Sequence, residues 1–123
     1  MRKITELAVK KFLNHENFRM GNTDVWNGYE LSNHSSSLHN RLWSRMYLHD
    51  NEIASKERYS DSILIDTCGW FSTTTKERLN GLLDTLGLPK IQQKNFKWYL
   101  MGKEWNGKEV RINTKTHEWE YNS

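Results

Sequence analysis

Leu42-Trp43-Ser44-Arg45-Met46-Tyr47-Leu48-His49 is the stretch on which the reading of the fold turns. Leu42, Ser44, Met46 and Leu48 alternate with Trp43, Arg45, Tyr47 and His49. A strand here can bury one face and carry mixed aromatic and charged groups on the other. Downstream, Asp50-Asn51 is a tight-turn candidate leading into a strand over residues 52–56. A further turn precedes a strand over residues 62–67, whose Ile63-Leu64-Ile65 core is the most β-prone run in the chain. Upstream, residues 23–31 alternate loosely and read as a strand or hairpin arm broken at Asn27-Gly28. Between these arms, residues 32–37 (Ser-Asn-His-Ser-Ser-Ser) form a polar loop. The pattern is that of an antiparallel meander.

Two helices flank it. Ile4, Leu7, Ala8 and Phe12 mark one apolar stripe of about three turns, ending near Asn14 ahead of Gly21-Asn22. Thr74 with Glu77 three residues on reads as a capping box. Leu79, Leu82, Leu83 and Leu86 then form an apolar face, Gly87 a C-terminal stop, and Pro89 forbids continuation. Beyond it Phe96, Trp98 and Leu100 alternate with lysine and tyrosine, and Asn106-Gly107 leads towards Val110-Arg111-Ile112 as a closing hairpin. The expected fold is α+β: an antiparallel sheet of about four to six strands packed by two helices, one domain over residues 1–123.

A chain of 123 residues has room for one such domain. Its single cysteine, Cys68, cannot form an intramolecular disulfide. With the polar start Met1-Arg2-Lys3, this points to a reducing cytosol. No apolar run approaches the roughly 18 residues that would span a membrane, so no membrane association is expected. The formal net charge is +3, unevenly spread: +3 over residues 1–19, −3 over 20–88 and +3 over 89–123. Such asymmetry can mark an anionic partner, though solvated lysines on a small domain are the simpler reading. Six Trp, five Tyr and four Phe are more than a small core readily accommodates, so some are expected at the surface.

No catalytic or metal set is legible. The five histidines and Cys68 lack ligand spacing, so neither metal nor cofactor is expected, and no enzyme activity. Two patterns could bind. Thr73, Thr74, Thr75, Lys76 and Arg78 place hydroxyls and cations at a helix start, an arrangement that serves as an anion or phosphate site or as ordinary capping. Lys94, Lys97, Lys103 and Arg111 interleave with aromatics around Trp98 and Trp105. That texture suits nucleic acid, and alternating strands also produce it. Trp105, in a Gly-Lys-x-Trp-Asn-Gly turn, is expected to stand exposed, and Trp98 with it to anchor a partner.

Several motifs occur in an order that resembles a known group. After Phe18 come Gly21-Asn22-Thr23-x-Val25 and Leu48-His49-x-Asn51-x-Ile53-Ala54. The most specific block is Gly69-Trp70-x-Ser72-x-Thr74-Thr75-Lys76-Glu77-Arg78-Leu79-Asn80-Gly81-Leu82. Gln93 and Leu100-x-Gly102-Lys103-x-Trp105-Asn106-Gly107 follow. The series is similar to a family of small uncharacterised proteins encoded by tailed bacteriophages. This chain departs from it by a longer stretch between Val25 and Leu48 and a longer tail after Gly107. The resemblance implies a phage origin and a site of action in the cytoplasm of the infected bacterial host. It brings no catalytic residues. By association it suggests stoichiometric inhibition of a host protein or ribonucleoprotein complex, with a defence system such as a CRISPR effector, or a signalling nucleotide, as target class. A nucleic-acid-binding protein using the basic, aromatic C-terminal region is the alternative, and a monomer or small homo-oligomer is expected.

Overall fold

The structure is a computed structural model that describes residues 1–31 and 40–122. The polar loop expected over residues 32–37 lies outside them. The chain runs α1 (Lys3–Leu13), β1 (Phe18–Met20), β2 (Thr23–Leu31), β3 (Asn40–Leu48), β4 (Asn51–Glu57), β5 (Ser62–Ile65) and α2 (Thr73–Thr85). It continues through β6 (Gln92–Lys94), β7 (Lys97–Leu100), β8 (Lys103–Trp105), β9 (Val110–Asn113) and β10 (Trp119–Tyr121). The α+β class stands, with more strands than expected. A seven-stranded antiparallel sheet has the order β1-β2-β3-β4-β5-β9-β10, and a three-stranded sheet the order β6-β7-β8. Four of the added strands are three residues long, too short for a period of two to register in the sequence.

The meander β1 to β5 follows sequence order, with two-residue loops joining β1 to β2 and β3 to β4. Between β3 and β4 the central residues are His49 and Asp50, at φ 50° and 65°, a geometry whose twist matches the strands it joins. The turn therefore sits one residue before the expected Asp50-Asn51. β2 is continuous through Asn27-Gly28, paired along its length with β3. No hairpin closes at Asn106-Gly107. The chain there leaves the small sheet, and β9 inserts beside β5, with Ile63 opposite Ile112 and Ile65 opposite Val110.

One face of the large sheet is the core face. Val25, Met46, Ala54, Ile63, Ile65, Val110 and Ile112 are buried there, under Ala8, Val9 and Phe12 of α1 and Leu79, Leu82 and Leu83 of α2. Leu86 is half-buried as the C-cap of α2. Beyond it Gly87 turns left-handed at φ 78°. The amide of Leu88 reaches the Leu83 carbonyl at 2.8 Å and that of Gly87 reaches Asp84 at 3.0 Å. These are the paired bonds of a Schellman ending, with buried Leu88 folded back onto Leu83.

The start of α2 corrects the capping assignment. Ser72, with extended backbone, is the N-cap, and its hydroxyl accepts the Thr75 amide at 3.0 Å. Thr74 therefore lies inside the first turn. Glu77 is released for a longer reach: its carboxylate accepts the Arg2 amide at 3.3 Å and the Thr5 hydroxyl. α1 has no side-chain cap of its own, so an anion from α2 sits at its positive end.

Candidate functional site

Because successive strand residues point to opposite faces, the register that buries Val25 and Met46 turns their neighbours outward. One row across the outer face runs Trp26, Arg45, Ser55, Leu64, Arg111 and Glu120, through six adjacent strands. A second holds Asp24, Tyr47 and Glu52, and a third Gly28, Trp43 and Glu57. Both helices contact the opposite face: Ser44 donates to the Phe12 carbonyl at 2.7 Å, and Arg78 donates to Thr23 at 3.0 Å. The small sheet lies on that side too, since Trp119, in register with inward Ile112, donates its indole N–H to the Leu100 carbonyl at 3.2 Å. Among the described residues, no helix or second sheet covers the outer face.

Aromatic rings and arginines occupy its middle. Trp26 is 51% exposed. A Cβ built on Gly28 would lie 2.1 Å from the far edge of the Trp26 indole, so that ring rests flat on the backbone of Gly28, beside Trp43 of the next strand. The Arg45 guanidinium sits 5.3 Å from the centroid of the Trp43 ring and 3.2 Å from the Glu52 carboxylate. The Tyr47 hydroxyl donates to the same carboxylate at 3.4 Å. Partial burial, then the Glu52 charge, pushes the Tyr47 phenol above its usual range. A shallow cleft of about 130 Å³ opens between Trp43, Leu64 and Arg111. Flat rings held by stacking and an arginine clamped between ring and carboxylate are side chains already ordered before any partner arrives.

The helix-start residues do not assemble as an anion site. Thr73 is exposed and Thr74 half-buried, but Thr75 is buried, with its amide taken by Ser72. Lys76 donates to Gln93 at 2.6 Å and lies 5.8 Å from the Trp98 ring. Arg78, expected as an exposed cation, is 2% exposed. It donates to Thr23 at 3.0 Å and Thr5 at 2.8 Å and pairs with Glu77. The reason is the crossing of α1 over α2, which covers the flank of α2 next to the leucine stripe. The cleft of about 490 Å³ beside this helix start is walled by Leu48, Ile53, Thr67 and Trp70, with Thr74 and Thr75 but neither cation.

The expected anchors are core residues. Trp98 is 3% and Trp105 1% exposed. The Gly102–Gly107 turn does not project. Thr67 donates both its amide (2.9 Å) and hydroxyl (2.8 Å) to the Gly107 carbonyl, drawing the turn inward, and the Trp105 indole donates to Lys108 O at 2.8 Å. Lys94, Lys97 and Lys103 are exposed around the small sheet, whereas Arg111 is exposed on the outer face of the large one. They do not form one groove. The expectation that some aromatics stand at the surface holds, for different rings: Trp26, Tyr29, Tyr59, Trp70, Phe71 and Phe96 are exposed. The signal for the outer face was the alternation of Trp43, Arg45 and Tyr47. What it lacked was any indication that no other described element packs on that side.

The geometry is that of a small α+β protein with one open, aromatic sheet face. The chain belongs to the Kyanoviridae Gp96 protein family, whose model matches residues 1–120. That is a phage family, in keeping with the resemblance to phage proteins. No curated protein and no solved structure matches the chain. Among the described residues, no helix is long and apolar enough to cross a membrane.

Proposed function

We propose that this phage protein is a non-enzymatic accessory factor that binds a host protein or ribonucleoprotein complex stoichiometrically and blocks it. The proposed target class is a bacterial defence system. The open face of the seven-stranded sheet is the docking surface in this reading. The supporting observation is Trp26, half exposed and laid against Gly28 beside Trp43 and Arg45 on a face that no other described element covers. Trp, Tyr and Arg are the residues that dominate protein interfaces. Opposite charges alternate across the face, with Asp24, Glu52 and Glu57 among Arg41, Arg45 and Arg111. That mixture favours a protein over a phosphate backbone, which the carboxylates would repel.

Gly28→Ala tests this without deleting any face side chain. The backbone of Gly28 is not left-handed, and the atom in the way is the far end of the Trp26 ring. The added methyl therefore evicts the ring at little cost in stability. The target is captured from host cells on the wild-type chain and then titrated against both proteins. Affinity of the variant should fall about thirtyfold, as for loss of a hot-spot contact of about 2 kcal/mol. Inhibition should saturate at a fixed ratio of chain to target. Undiminished affinity of Gly28→Ala, or inactivation of excess target by catalytic amounts, would refute the reading.

A further inference from the structure

We infer that the β6–β7 hairpin tip, Lys94-Asn95-Phe96-Lys97, is a nucleic-acid-engaging finger in which Phe96 stacks on a base and the two lysines hold phosphate. The tip breaks three local rules at once. Asn95 and Phe96 are the two central residues of the turn, at φ 52° and 65°. In such turns Asn is well suited to the first place and Gly to the second. A bulky ring with positive φ is a costly choice. Phe96 is also 96% exposed, the most exposed of the large apolar side chains among the described residues. Finally, Lys94 and Lys97 are direct cross-strand partners, a like-charge pairing that weakens a hairpin. Glu104, 3.4 Å from the Lys97 ammonium, offsets part of this repulsion. Among the described residues, however, Lys94 has no ion pair and Phe96 no cover, and conflicts of this kind mark functional positions.

One kind of partner relieves both the exposure of the ring and the like-charge pairing, and gives the strained backbone that projects the ring a purpose. It must present a flat apolar surface to the ring and negative charge to the paired ammonium groups, which is what a base and its flanking phosphates offer. The surroundings agree. Residues 90–108 carry Lys90, Lys94, Lys97, Lys103 and Lys108 against the single carboxylate of Glu104. Tyr99 lies two residues from Lys97 on the same face, in register with Gln92 and Glu104. Ring, cations and ring thus follow one another down the hairpin. Nucleic acid here would be read without sequence preference. This surface is separate from the open face of the large sheet.

The test is anisotropy with a fluorescein-labelled oligodeoxythymidylate of about 12 nucleotides, within the usual site size for such binders, using the full chain. Phe96→Gly should bind at least about fivefold more weakly, the loss of one stacked base, while its thermal midpoint equals or exceeds that of the wild type. Phe96→Trp, which keeps a stacking ring, should retain affinity. The double change Lys94→Gln and Lys97→Gln should flatten the slope of log K against log salt by about 1.4, or two phosphates. Gly28→Ala should bind the oligonucleotide as the wild type does, which keeps this test apart from that of the open face. Any of three results would overturn the assignment: no oligonucleotide binding by the wild type at low salt, equal affinity of Phe96→Gly, or binding confined to anionic vesicles or polyglutamate.

Discussion

Replacing Arg78 by alanine should remove a large share of the stability of this chain. The side chain is 2% exposed and ties three elements together. Its Nε donates to Thr23 of β2 at 3.0 Å, and its Nη1 donates to Thr5 of α1 at 2.8 Å and to the carboxylate of Glu77. Truncation strands the Glu77 carboxylate without its cation at the foot of α1 and leaves two fully buried hydroxyls each short of one donor, their bonds to Glu77 and Asn22 still in place. Each stranded group costs about 1–3 kcal/mol, and breaking a buried ion pair from one side costs about 3–5 kcal/mol. The terms share atoms and do not add, so the expected loss is about 4 kcal/mol. Against a total of roughly 5–15 kcal/mol, that is a severe lesion. In urea, with a slope of about 2 kcal/mol per molar, the midpoint should drop by roughly 2 M. Lys76→Ala, two positions away on the solvent side, should move it by less than about 0.5 kcal/mol.

The acid limb supplies a second readout of the same network. Burial works against the charge on Glu77, but bonds from the Thr5 hydroxyl, the Arg2 amide and the Arg78 guanidinium outweigh it and hold the carboxyl below its usual 4.5. The stability this contributes is present above pH 4.5 and is lost as pH falls through the lower folded value. Arg78→Ala should shrink that loss. A midpoint shift equal to that of Lys76→Ala, with an unchanged acid limb, would mean that Arg78 points into solvent and that α1 does not cross α2 as described.

Two further outcomes follow from the same contacts. Ser72→Ala should cost about 1 kcal/mol in denaturant melts, whereas Thr74→Ala, inside the first turn, should cost a few tenths. Burial, then the charges of Lys56 and Arg58, lowers the pKa of His15 from 6.5, and its Nδ1 lies 2.9 Å from the Ser44 hydroxyl. The unfolded chain then takes up a proton that the folded chain resists, so stability should decline as pH drops below 6.5. His15→Gln should flatten that decline, and an identical pH profile would place His15 in solvent.

Much that is local in this chain could be read directly. The extent of α1, the leucine face of α2, its ending at Gly87 and the alternation through Leu42–Leu48 follow from periodicities of 3.6 and 2 and from residues with special backbone freedom. The surplus of aromatics over core volume was also legible as a total. What the tertiary structure alone decided is which side chains face water. Arg78 sits on the edge of the leucine stripe, and only the passage of α1 over that edge makes it a buried tie. Trp98 and Trp105 share the texture of an exposed basic groove. They became core because the short strands β7 and β8 fold onto the inner face of a sheet whose distant strands, β9 and β10, were not visible as partners. The open face arose the same way. Alternation fixes that Trp26, Trp43, Arg45 and Tyr47 share one side, while both helices and the small sheet pack on the other, so that no other described element covers it. Such pairings link residues far apart in the chain, and local spacing carries no record of them.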